Sequence, residues 1–189
     1  TMPAASFAID ISSLQRLALL GTTSQSALLG QFLKAKPFYD PARYRLFLHA
    51  RHRIAHAATR LYRHPLREAL LPRFDDLGDI AWIERDMVDL GVEPSRAFDD
   101  ELVSVDPLDI ATLLGALFVT EGLRLMVPYF RRQAVALGLH EGHGAGHLGH
   151  DPFAIRVRWK SFATQVNGQM FMSSEMRRMA AAADEAMRG

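Results

Sequence analysis

The chain has 189 residues, 49% of them hydrophobic and 23% charged, with a formal net charge of +1. That length supports one domain with a real core, and a near-neutral charge argues against a dedicated nucleic-acid binder. With no cysteine the chain cannot use disulfides, thiolate catalysis or iron–sulfur ligation, and no stretch reaches the roughly 18 uncharged apolar residues of a membrane span.

Residues 1–10 read as a loose lead-in without the basic and apolar regions of a signal peptide. The expectation is therefore a cytoplasmic protein without nucleic-acid or membrane partners. Ser12-Ser13 can cap a helix with Leu14, Leu17, Ala18 and Leu20 on its apolar side, ended by Gly21. Thr22 with Gln25 three residues on fits a capping box for a second helix, over 22–36. Leu28, Leu29, Phe32 and Leu33 follow at helical spacing, and Lys34, Lys36 and Pro37 close it.

Asp40-Pro41 opens a third helix running to about His64. Pro65 and Pro72 bracket a short helical turn, and Asp75 or Asp76 begins a helix ended by Gly91. Residues 91–105 read as a connector. Asp106-Pro107 is a helix start for the most apolar run in the chain, Ile110 to Val119, and that helix should continue to Arg132. A helix this apolar is buried on most sides, and Pro128 should kink it. Gly138 to His150 is a glycine- and histidine-rich loop that reads as a mobile surface segment. Asp151-Pro152 starts a helix around Trp159 and Phe162, broken by Gly168, and Ser173-Ser174-Glu175 starts a terminal helix. No useful period-2 alternation, internal repeat or linker is present. The fold class is all-α: one domain, residues 1–189, of about eight helices.

No phosphate loop, dinucleotide fingerprint, HExxH or GxSxG is present. Histidine is the exception to this silence. His49, His52 and His56 lie on one helical stripe that could ligate a metal, but Arg51, Arg53 and Arg60 interleave with them and favour a solvated polar stripe. His140, His143, His147 and His150 fall in HEGHGAGHLGH with Glu141, a weak metal candidate because ordering a glycine-rich loop is costly. The expectation is no metal site.

The segment LFVTEGLRL at 117–125, with the basic pair Arg131-Arg132 after it, resembles the bacterial biliverdin-producing heme oxygenases. WKSF at 159–162, RLALL at 16–20, KPF at 36–38 and LYR at 61–63 fall at compatible spacings, so the resemblance covers roughly residues 14–185. It implies an all-helical fold with heme held between a proximal helix (22–36) and a distal helix (106–132). In that family a histidine of the proximal helix ligates iron, glycines of the distal helix bring backbone close to the macrocycle, and basic residues hold the propionates. Dioxygen and delivered electrons open the ring to biliverdin, carbon monoxide and iron.

Carried onto this chain, the resemblance places Gln25 at the proximal histidine position, and no histidine occurs between Thr1 and Leu48. Gly122 is kept, whereas Leu123, Met126, Val127 and Pro128 replace small distal residues. The implied tetrapyrrole pocket comprises Gln25, Leu29, Gly122, Leu123, Met126 and Phe162. Lys34, Arg131 and Arg132 are its candidate propionate contacts. An amide is a poor iron ligand beside imidazole, so ordinary heme-to-biliverdin turnover is expected to be impaired or lost. Met126 could serve as an axial thioether or fill core space, and a histidine relocated from 49–56 is a further candidate ligand. The alternatives are an active heme oxygenase with a substitute or no proximal ligand, and a non-heme regulatory protein. Partners are a tetrapyrrole and an electron donor or a bilin-using signalling protein.

Overall fold

The computed structural model describes residues 34–94, 110–168, 177–179 and 181–182. The expected capping box of Thr22 and Gln25, the pocket candidate Leu29, the start at Asp106-Pro107 and the start of the terminal helix lie outside the described residues. Among the described residues the regular structure is helical, apart from two isolated bridges that join His140 to His143 and Gly144.

Helix α1 (Pro41–Arg63) begins where the sequence places it. The Asp40 carboxylate accepts from the Arg43 N–H at 2.8 Å, and Pro41 occupies the first turn, where no intrahelical donor is needed. Its buried side carries Tyr44, Phe47, Leu48, Ala55, Ala58, Leu61 and Tyr62. His64 ends it and caps α2 (Pro65–Leu70), its Nδ1 accepting from the Leu66 N–H at 3.2 Å.

Helix α3 (Asp79–Asp89) starts later than the sequence suggested. Asp76 is drawn into other bonds, accepting from the Thr59 hydroxyl at 2.7 Å and the Gly78 N–H at 3.2 Å. Gly78 then turns the chain into the helix from the left-handed region, at φ +71°.

The expected helix through Arg132 is two helices, α4 (Ile110–Leu125) and α5 (Val127–Ala136), bent by 46° at Met126. Pro128 is the cause. It offers no N–H, and its ring would clash with the preceding turn of a continuous helix. Met126 N bonds instead to Leu123 O at 3.1 Å, a tightened last turn, and the proline falls in the first turn of α5. No single described helix is long and apolar enough to cross a membrane.

Helix α6 (Pro152–Asn167) is capped by Asp151, which accepts from Phe153 N at 3.0 Å and Ala154 N at 3.3 Å. Helix α4 packs between α1 and α6, and α3 packs on α1 and on the turn Gly146–Leu148. Two apolar clusters result. One gathers Leu61, Phe74, Leu113, Leu117, Phe118 and Phe162 around α4. The other gathers Tyr44, Phe47, Ile83, Met87, Phe130 and Leu148 where α1, α3 and α5 meet.

Candidate functional site

Helical spacing divides α4 into two stripes. Leu113, Leu117, Glu121 and Arg124 lie on one. Gly115, Val119 and Gly122 lie on the other, which Met126 continues at the bend.

The first stripe is buried and carries a charged network that the apolar reading of this helix missed. Glu121 is 2% exposed and Arg124 3%. Such charges survive burial only when paired and hydrogen-bonded. Glu121 accepts from the Tyr62 hydroxyl of α1 and from both Arg158 Nε (2.9 Å) and Nη2 (3.0 Å) of α6. Arg124 Nε lies 3.4 Å from Glu121, and its Nη2 lies 3.0 Å from Asp79. Asp79 also meets His150 Nε2 at 3.0 Å. Burial works against charge on Asp79, but the His150 hydrogen bond and the charges of Arg124 and Arg51 outweigh it and hold the carboxyl at about 2. Four elements are thus tied through one helix. The sequence signal was a lone Glu and Arg, three apart, inside an otherwise apolar run.

The second stripe is buried at Gly115 and Val119 and becomes partly exposed at Gly122. Among the described residues, a Cβ built on Gly122 would meet nothing within 4 Å. Gly122, Leu123 and Met126 are all partly exposed. A mid-helix glycine costs about 0.5–1 kcal/mol relative to alanine, and no described neighbour needs the space. Leu123 packs against the cluster around α4, whereas Met126 packs against the second cluster. Phe162 belongs to the core. It is fully buried, with Phe74 at 5.5 Å and Trp159 at 5.7 Å between ring centroids. It lies one turn along α6 from Arg158, which grips Glu121, so it falls on the ion-paired side of α4 and lines no open surface. Arg131 and Arg132 are exposed on α5, and Arg131 Nη2 lies 3.6 Å from Glu141. Lys34 is exposed, and Gln25 and Leu29 lie outside the described residues.

The histidine loop is anchored, which corrects the expectation of a mobile segment. Asp86 of α3, 1% exposed, accepts from Gly146 N (2.7 Å), His147 N (2.8 Å) and His147 Nδ1 (2.6 Å). Asp89 accepts from Gly144 N at 3.0 Å, and the Tyr44 hydroxyl donates to Gly144 O at 2.8 Å. Gly146 is tightly surrounded: a Cβ there would sit 3.1 Å from Asp86 Oδ1 and 3.1 Å from Glu141 O. Burial pushes the His147 pKa down against the pull of Asp86, so the ring is neutral and donates through Nδ1. His147 and His150 are therefore committed to separate aspartates, while His140 and His143 sit exposed at the turn. These four histidines do not converge on one metal. On α1 the solvated-stripe reading also fails: His52 is fully buried and turned toward Glu84 of α3.

No family model matches the chain. It is 30% identical over 172 residues to the heme oxygenase PigA of Pseudomonas aeruginosa, spanning 91% of this chain and 86% of that protein. Its fold matches a crystal structure of the NO- and CO-bound heme oxygenase from Neisseria meningitidis with a TM-score of 0.82 at 22% identity, over 94% of this chain and 87% of the other. Full-length sequence similarity and a shared all-α fold lead to one conclusion: the chain belongs to the heme oxygenase family.

Proposed function

We propose that this protein holds heme, or a closely related tetrapyrrole, between the segment 22–36 and the distal helix, with the macrocycle lying over Gly122. The observation that carries this reading is the uncovered helix backbone at Gly122 among the described residues. A flat ligand resting on the helix at Gly122 needs that position free of a side chain, and a glycine retained at a cost to helix stability is then explained. Leu123 and Met126 border the same stripe and supply apolar contact to the ring. Arg132 and Lys34 are exposed cations for the propionates. Arg131 joins them by leaving Glu141, a surface pair worth little by itself.

Heme in this reading is the substrate, and it supplies the iron at which dioxygen would react. The chain's own contribution is to bind and orient it. Gln25 takes the place of the proximal imidazole and leaves turnover to biliverdin slow or lost. Packing of Met126 against the second cluster supports a filling role on the distal side, not an axial thioether. Membership of a family whose relative is a heme oxygenase favours a second reading, full turnover with a substitute or no proximal ligand. That reading adds a reductase as electron donor, while the slow-turnover reading suits a partner that uses the bound tetrapyrrole or its bilin.

Two measurements separate them. Hemin added to the purified protein should give a saturable Soret shift at one equivalent. Ascorbate or a reductase should then produce little biliverdin absorbance, and Gln25→His should raise that yield at least about tenfold. Rapid turnover by the unaltered protein, not improved by Gln25→His, would replace the first reading with the second. A Soret band altered by Met126→Ala would reinstate the thioether.

A further inference from the structure

His52 and His56 lie one turn apart on α1, and Glu84 faces them from α3. His52 Nε2 is 3.2 Å from His56 Nε2 and 3.0 Å from Glu84 Oε1. His56 Nε2 is 4.0 Å from the same carboxylate oxygen. Two ligands about 2.0–2.1 Å from a tetrahedral zinc ion lie about 3.4 Å apart. The 3.2 and 3.0 Å separations are close to such an edge, and the 4.0 Å one would shorten to it by a small movement of the substantially exposed His56 and Glu84 side chains. Two ring nitrogens facing each other at 3.2 Å need a shared proton or a shared cation between them.

The surroundings fit a ligand set with an open side. The His52 side chain is 1% exposed, whereas those of His56 and Glu84 are 40% and 43% exposed. The inner donor is fixed by packing and the outer two face water. Neutral imidazole, the form an uncharged histidine offers, is the one that ligates metals. Of the three arginines that argued against a cation here, Arg60 stays near His56 and the other two are disposed otherwise. Arg51 is buried and lines a separate small cavity with Asp76, Asp79 and Arg124, and Arg53 points outward.

We propose that His52, His56 and Glu84 bind one divalent transition-metal ion of the zinc class, with water in the remaining position, clamping α1 to α3. Two imidazoles and one carboxylate suit zinc, cobalt, nickel or copper better than calcium or magnesium. None of its three residues belongs to the Gly122 stripe.

The test uses the full chain, chelator-treated and heme-free, titrated with Co2+ and Zn2+. Cobalt should give a visible absorption of low-symmetry four-coordinate type that saturates at one equivalent, and zinc should displace it and raise Tm. His56→Ala and Glu84→Gln should each weaken binding at least about tenfold without changing the metal-free circular dichroism spectrum, since both side chains are substantially exposed. The double variant His140→Ala/His143→Ala should bind as the unaltered protein does. Absence of saturable binding would overturn the proposal. So would unchanged affinity in His56→Ala and Glu84→Gln, or loss of binding in the His140/His143 variant.

Discussion

Glu121 and Gly122 are neighbours in the chain and opposites in surroundings. Glu121 is locked to α1 and α6 by a hydroxyl and a bidentate guanidinium. Gly122 has no described atom within 4 Å of where a side chain would begin. One helix thus has a side that fixes its position and, on the other side at Gly122, backbone left uncovered among the described residues. A site that must hold a flat ligand at a defined distance needs both, because a backbone close to the ligand is useful only if the helix beneath it does not shift.

Substitutions on the two stripes should therefore differ in sign as well as size. Glu121→Ala leaves Arg158 without its buried carboxylate, removes one of the two buried carboxylates beside Arg124, and should lower unfolding free energy by about 3–5 kcal/mol, read by denaturant titration. An effect under about 1 kcal/mol would mean that the network does not hold α4. Asp86→Ala removes the acceptor of three hydrogen bonds and should cost about 2–3 kcal/mol. Hydrogen exchange at Gly146 and His147 should rise most, and uniform exchange across the loop would contradict the anchoring role of Asp86.

A smaller effect is expected from acid. Asp79 titrates near 2 in the folded protein against an ordinary 3.8. A depressed carboxyl stabilises above its unfolded value, and that contribution disappears as pH falls through the folded one. The loss amounts to about 2 kcal/mol between pH 4 and pH 2. Asp79→Asn should flatten stability across that window, and an unchanged slope would remove Asp79 from the account. Smallest in magnitude and opposite in sign is Gly122→Ala. With no described atom in the way, it should stabilise the helix by about 0.5–1 kcal/mol, while hemin affinity falls at least about tenfold.

The sequence reading succeeded where local chemistry dominates. Asp40-Pro41, Pro65 and Asp151-Pro152 start helices because a capping side chain and a fixed proline φ act within a single turn. Pro128 broke the apolar helix for an equally local reason. The failures involve partners distant in sequence. Asp76 looked like a cap until Thr59 claimed it. The glycine-histidine loop looked mobile because its anchors, Asp79, Asp86 and Asp89, lie about 60 residues upstream. Arg51 and Arg53 seemed to repel a cation from the α1 histidines, and only the packing of α3 reveals Glu84 opposite His52. Glu121 and Arg124 were visible as charges in an apolar run, but not their partners Tyr62, Arg158 and Asp79. Gly122 was singled out by motif alone, and its open surroundings are a structural observation.

The most direct test of a tetrapyrrole seat on the Gly122 stripe is a hemin titration of the unaltered protein beside Gly122→Leu, followed by Soret absorbance, with Tm measured for both. The account predicts saturation at one equivalent for the unaltered protein, and loss of the saturable Soret shift in Gly122→Leu with no fall in Tm. Equal binding by the two proteins, or no saturable binding by either, would contradict it.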